Sequence, residues 1–296
     1  MARFTISNYR KFGVAALCCL LLLAGTACNR GKKPTESSEP GAEVSSWENP
    51  PVTERPASDF QPDIPDVMQQ LQAAVSQNGD TVGWLTIPGT EVNEAVVQTT
   101  DNEYYYRRDA QGNYSFSGSL WMDYESSIGD GNAQNFSRNT IIYGHNLGKP
   151  QGVRDDPNGV KFGQLFKFDD LEFAKAHPYF YFTTREGTHI YEIFTVFYSE
   201  DKLSPVPYHY ASYSGKDYEA LLDDVRARSQ FDYNVKTGQN DKIITLSTCT
   251  YKYGTYTQNP HQRFVIMGRL VGEDEDLYET ADLQINPDPK APDFRA

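Results

Sequence analysis

The sequence predicts a mainly β protein, a closed or nearly closed barrel with only a few helices. Short runs dense in β-branched and aromatic residues recur along the chain, and Gly, Asn, Asp or Pro stand between them. Helical spacing appears in only three stretches, so strands do not alternate with helices as they do in a doubly wound sheet.

Taken in order, Asp66–Val75 has apolar residues at helical spacing and predicts a short amphipathic helix. Val82–Pro88 reads as a strand stopped by its proline, and Glu94–Gln98 as a second short strand. Further strands are expected at Ser119–Asp123, Asn139–Tyr143, Tyr179–Thr183 and His189–Phe197. The last two are Lys242–Leu246 and Arg263–Val271. A helical stretch lies within Phe162–Ala176 and ends at His177-Pro178. The clearest helix is Lys216–Arg228, where Tyr218, Leu221, Leu222 and Val225 share one face. After about Gly272 the chain is acidic and proline-rich, which predicts an unstructured tail.

The chain has 296 residues and a formal charge of -13, from 27 basic and 40 acidic side chains. That balance excludes a nucleic-acid partner, because a phosphate backbone needs a basic face. Three of the four cysteines, Cys18, Cys19 and Cys28, lie in or just after an N-terminal apolar run. Cys249 alone falls in the globular part, so that fold must stand on packing without an internal disulfide.

The amino end reads as an export signal. Arg3, Arg10 and Lys11 precede an apolar run from about Gly13 to Ala27, roughly 15 residues and short of the ~20 that span a bilayer. It closes in Leu23-Ala24-Gly25-Thr26-Ala27-Cys28, which resembles a bacterial lipobox with Cys28 as the lipid-bearing residue. Gly25 departs from that pattern, which has a bulky aliphatic residue there, and an uncleaved signal-anchor is the other reading. Either places the globular part outside the cytoplasmic membrane. The expected organisation is a signal at 1–27, a polar tether at 28–62, a catalytic domain at 63–272 and the acidic tail at 273–296.

Three residues carry chemistry only in combination. Cys249 ends the apolar run that starts at Ile243, where an exposed thiol becomes a nucleophile if a base or a positive charge favours its thiolate. His145 follows a buried strand and a glycine, a place from which it can move protons near neutral pH. Arg263 opens the next strand and can donate two hydrogen bonds to a developing oxyanion. Taken singly, each has a plainer reading: a structural cysteine, a structural histidine, a surface ion pair.

Together they resemble one family. Thr245-Leu246-Ser247-Thr248-Cys249-Thr250-Tyr251 resembles the sortase signature, with the serine variant of class B. Asn139–Asn146 resembles the family's histidine segment, and Arg263–Leu270 its arginine strand. Ser119–Tyr124, Asp101–Tyr105 and the 216–228 helix are also similar to class B segments. The resemblance covers about residues 63–272. It implies an eight-stranded sortase-type β-barrel and a cysteine transpeptidase that needs no metal or organic cofactor. The implied roles are Cys249 as nucleophile, His145 as proton carrier and Arg263 as oxyanion stabiliser. Ser247, Thr248, Asn146 and Tyr251 are implied substrate contacts. The implied partners are surface proteins bearing a C-terminal sorting motif and an amine on peptidoglycan or its lipid-linked precursor. The segment from Tyr251 to Gln262 is longer than the family pattern and rich in tyrosine.

Two rival readings remain. A cysteine peptidase releasing its product to water would share the trio, though a papain-like fold would place its cysteine at the start of a helix. A non-catalytic binding protein on the same barrel would need none of the three. His177, His189, His209 and His261 show no metal-ligand spacing. The acidic pairs and clusters at Asp155-Asp156 and Glu273–Asp276 read as solvated surface.

Overall fold

A computed structural model describes residues 51–149, 152–201 and 204–295. The expected signal, Cys28 and the tether as far as residue 50 lie outside the described residues. Among the described residues no helix is long and apolar enough to cross a membrane.

Helix α1 (Met68–Gln77) buries Leu71 and packs against β1 (Thr81–Thr86). Then come β2 (Asn93–Val97), β3 (Leu120–Met122), β4 (Asn139–Tyr143) and the two-residue strands β5 (Asn146–Leu147) and β6 (Val160–Lys161). The short helix expected within 162–176 is α2, Leu171–Ala176, and a 3-10 segment, Phe162–Asp169, precedes it. The break falls at Asp170, whose carboxylate caps α2 by accepting from the Phe173 N–H. Strands β7 (Tyr179–Thr184) and β8 (Gly187–Ser199) precede helix α3 (Gly215–Arg228), which Ser214 caps. The chain ends with β9 (Phe231–Tyr233), β10 (Ile243–Cys249), β11 (Arg263–Leu270) and β12 (Leu283–Ile285).

Eight strands close into a barrel in the order β1-β2-β3-β4-β10-β11-β8-β7. The β2–β3 and β4–β10 pairs are parallel and the others antiparallel. Leu85, Val96, Met122, Ile142, Phe182 and Leu246 are among the apolar side chains of a single core cluster and are essentially inaccessible. Closure leaves no free sheet edge in the barrel, which is why so many short strands hold together.

The tail after Gly272 is not unstructured. β12 pairs with β9, Asn286 donates to the Ser229 carbonyl, and the Lys290 ammonium pairs with Asp224 on α3. Tyr278 stacks beneath Arg55 and accepts no role as a free end: its amide donates to the Tyr179 hydroxyl. Acidic, proline-rich composition suggests disorder on average. Here the interspersed Leu283 and Phe294 find apolar partners, Tyr278 packs against the Arg55 guanidinium, and the backbone finds a strand to pair with.

Candidate active site

Alternation along β10 puts Thr245, Ser247 and Cys249 on one face. The segment after β8 covers that face. Asn139, fully buried, donates to the Tyr208 and Tyr210 carbonyls and accepts from the Thr245 hydroxyl. The Tyr208 hydroxyl meets Ser247 Oγ at 2.8 Å. Cys249, a free thiol, ends the row half-buried, where this cover stops.

Arg263 stands directly opposite Cys249 in the β10–β11 register. Opposed residues of an antiparallel pair project to the same face with Cβ atoms about 5 Å apart, so the thiol and the guanidinium stem are neighbours by construction. Nη1 of Arg263 donates to the Pro260 and Gln262 carbonyls at 2.8 and 2.9 Å, and Nη2 lies 3.0 Å from Asp201 Oδ2. Burial works against the Arg263 charge, but Cys249, Asp201, Tyr208 and Tyr256 outweigh it and hold its pKa above the ordinary value.

His145 is brought to the same end by the parallel β4–β10 pairing. The Gly144 N–H donates to the Ser247 carbonyl at 3.4 Å, and Thr248 Oγ1 donates to the Gly144 carbonyl at 2.7 Å. Only glycine fits at 144: a Cβ would lie 2.7 Å from Leu120 and from Phe162. The His145 Nε2 sits 2.7 Å from the Tyr106 carbonyl, and a carbonyl only accepts, so Nε2 carries the hydrogen. Nδ1 is then the nitrogen that gains and loses a proton. Gly118, at φ +60, lets that carbonyl approach, since a Cβ there would come within 2.7 Å of it. Tyr106 and Trp121 pack on the imidazole at 4.3 and 5.7 Å between centroids. Burial lowers the His145 pKa below 6.5; the Tyr106 carbonyl opposes this, and Arg107 and Lys161 add to it.

The four implied substrate contacts are differently placed. Ser247 and Thr248 are buried and engaged as described. Asn146 is also buried; its Nδ2 donates to the Cys249 carbonyl at 3.0 Å and to Asp155 Oδ1 at 2.6 Å. Tyr251 alone borders open space, half-buried under the Arg154 guanidinium at 4.8 Å. Burial, then Cys249, raises its pKa.

The acidic pair at 155–156 is not solvated surface. The Asp155 carboxylate accepts from Asn146, from the Thr250 hydroxyl at 2.9 Å and from the Tyr251 N–H. Asp156 is buried and accepts from the Lys149 and Asn158 amides. In the 273–276 cluster, Glu275 pairs with Arg269. Sequence reasoning also missed Tyr106, Asp201 and Tyr208. The first acts through a backbone carbonyl and leaves no side-chain signal. The other two lie far from the signature blocks in sequence.

Known proteins match this sequence and this barrel. The sortase domain model matches residues 85–271. Sortase B of Listeria monocytogenes is 33% identical over 206 residues, covering 70% of this chain and 76% of that protein. Sortase B of Staphylococcus aureus is 25% identical over 205 residues, with 69% and 76% covered. A Staphylococcus aureus sortase B–substrate complex superposes with a TM-score of 0.58 at 24% identity, covering 70% of this chain and 87% of that one. Bacillus anthracis sortase B in complex with AAEK1 gives 0.55 at 29% identity, with 69% and 85% covered. A β10 signature cysteine facing an arginine on the adjacent strand, with a histidine brought in by the parallel neighbour, thus sits on a barrel shared with these enzymes, and the chain belongs to the sortase family, class B.

Proposed function

We propose that this sortase cleaves a C-terminal sorting motif after threonine and transfers the substrate protein to an amine of the cell wall or its precursor. The observation that carries the reading is the direct cross-strand pairing of Cys249 with Arg263, with His145 fastened at the same end of β10.

The steps follow from these groups. The Cys249 thiolate attacks the threonine carbonyl carbon, and the carbonyl electron pair moves to oxygen. Arg263 donates to that oxyanion, an interaction that strengthens only as charge develops. As the tetrahedral species collapses, the C–N bond breaks and protonated His145 gives its Nδ1 proton to the departing amine. A thioester on Cys249 remains. An acceptor amine then attacks it, His145 takes the amine proton, and the thiolate leaves. Because burial depresses the His145 pKa, the imidazolium is the minor form of the free enzyme at neutral pH.

The N-terminal residues support placement at the outer face of the cytoplasmic membrane, through lipid on Cys28 or through an uncleaved anchor. On this reading 63–272 is the catalytic domain, and the tail packs onto it.

The test uses the full-length chain in detergent and a panel of sorting-motif peptides (Asn-Pro-x-Thr-Gly or -Asn, Leu-Pro-x-Thr-Gly, Ser-Pro-x-Thr-Gly). Half the reactions contain a glycine-type amine. Cleavage after threonine, an amine-linked product by mass spectrometry, and loss of both in Cys249→Ala are expected. Cleavage that persists in Cys249→Ala removes the mechanism, and product released only to water identifies a peptidase instead.

A further inference from the structure

Beyond the trio itself, we propose that Asp201 is the positioning residue that aims the Arg263 guanidinium at the reacting carbonyl; this rests on the transpeptidase reading above. Cys249, Arg263 and Ser199 lie in one line across β10, β11 and β8, each opposite the next. Asp201 follows Ser199 by two residues, and its carboxylate returns over the start of β11 to meet Nη2 of Arg263 at 3.0 Å.

The return is not a relaxed accident of a surface loop. Asp201 is buried and has φ +52, a left-handed backbone that few side chains adopt and that aspartate tolerates better than most. Its amide donates to Ser199 Oγ and its carbonyl accepts from the Ser204 N–H. The preceding residue, Glu200, is locked inside the protein by a two-pronged pair with Arg228 at 2.7 and 2.9 Å. Backbone and neighbour are therefore fixed before the carboxylate meets its partner.

Arginine 263 needs such a partner. Its stem starts at a strand end, and a flexible guanidinium gains little at a transition state if it must first be ordered. The Pro260 and Gln262 carbonyls take the two Nη1 hydrogens, and Asp201 fixes Nη2. Among the described residues nothing bonds the Nε hydrogen, so the Nε–Nη2 edge is the one left to meet an oxyanion. A carboxylate here also competes with the oxyanion for the same positive charge. That arrangement serves catalysis only if direction matters more than undiluted charge.

The test compares full-length wild type with Asp201→Asn and Asp201→Ala. Asparagine keeps the shape and the left-handed tolerance while removing the charge, so it stays informative if the alanine variant folds poorly. Two readouts are taken: peptide cleavage, and the rate at which phenylglyoxal modifies Arg263, mapped by mass spectrometry with Arg107 and Arg154 as internal references. The expected result is kcat lower by about 10-fold or more with KM within about twofold, the pattern of an interaction made in the transition state. Arg263 labelling should rise about fivefold against the two references, since its ion pair is gone. A kcat within twofold of wild type, a loss confined to KM, or unchanged Arg263 labelling in Asp201→Asn each overturns the proposal. If wild type cleaves no peptide yet Arg263 labelling rises in the variants, the clamp stands and it is the transpeptidase reading that fails.

Discussion

Replacing Arg228 by methionine tests whether the end of β8 is held by charge. Arg228 is 2% exposed; its guanidinium grips both oxygens of Glu200, itself 1% exposed, and Nε reaches Asp224 at 2.6 Å. Asp224 keeps the Lys290 ammonium if Arg228 is lost, but no other side chain is bonded to Glu200 among the described residues. The cost therefore falls on one stranded carboxylate. Removing one member of a buried pair costs about 3–5 kcal/mol. For a domain of this size each kcal/mol moves Tm by ~2–4 °C, so Arg228→Met should melt ~6–20 °C lower. The control is Glu200→Met with Arg228→Met, which removes both charges and leaves apolar stems of similar volume. If the unpaired charge is the source of the loss, the double variant recovers most of it. Urea unfolding followed by the fluorescence of Trp84 and Trp121 measures all three proteins. A double variant no more stable than the single one refutes the reasoning, and so does a single-variant loss below about 1 kcal/mol.

The depressed pKa of His145 has two consequences. Its imidazole should titrate below 6.5 by NMR, and Arg107→Gln or Lys161→Met should raise the midpoint, since both cations oppose its protonation. Below 6.5 the unfolded chain binds more protons than the folded one at this site, so its contribution to stability is complete above 6.5 and is lost as pH falls toward the folded pKa; His145→Gln should flatten that slope in urea unfolding. Asn139→Leu strips partners from the Tyr208 and Tyr210 carbonyls and from Thr245, and should cost about 2–5 kcal/mol in the same assay. Gly118→Ala places a Cβ 2.7 Å from the Tyr106 carbonyl at φ +60, and should cost about 1–3 kcal/mol and slow peptide cleavage by displacing the His145 anchor. Asp155→Ala should lower hydrogen-exchange protection of the Tyr251 amide by about 10-fold, because that carboxylate is its acceptor.

The barrel was legible because its strands are locally consistent. Asn139–Tyr143 and Arg263–Leu270 are β-branched and aromatic, and their observed bounds coincide with or fall one residue inside those read from sequence. β5, β6, β9 and β12 were not legible: two or three residues carry no period, and unlike Leu120-Trp121-Met122 of the equally short β3 they form no contiguous apolar run. The trio proposed as catalytic stands out in the sequence because it lies in contiguous signature blocks. Its supports do not. Asp155 and Asp156 look like any solvated pair in one dimension, and only the fold shows that one fastens Tyr251 while the other caps its own loop. The tail misled for the same reason: composition counts charges but not the partners that Tyr278 and Lys290 find on distant elements.

The supports themselves follow a pattern. Among the described residues, three non-glycine positions have positive φ: Asp155, Lys161 and Asp201. Asp155 holds the chain just beyond Cys249, and Asp201 holds Arg263. Lys161 pairs with Asn146, next to His145, in the β5–β6 register and contributes to lowering the His145 pKa. Each strained residue therefore lies against the surroundings of the trio. A left-handed backbone costs of order 1 kcal/mol or more and persists only where surrounding bonds over-determine it. Three such costs gather around one end of β10: Asp155 ties Asn146, beside His145, to the chain after Cys249, whereas Asp201 holds Arg263 from the far side of β11. Relaxing one, as in Asp201→Asn, should then impair its own member and leave the other two in place. That separability can be measured: phenylglyoxal labelling of Arg263 should change in Asp201→Asn while the His145 titration midpoint stays where it was, and a midpoint that moves with it would mean the three are held as one unit.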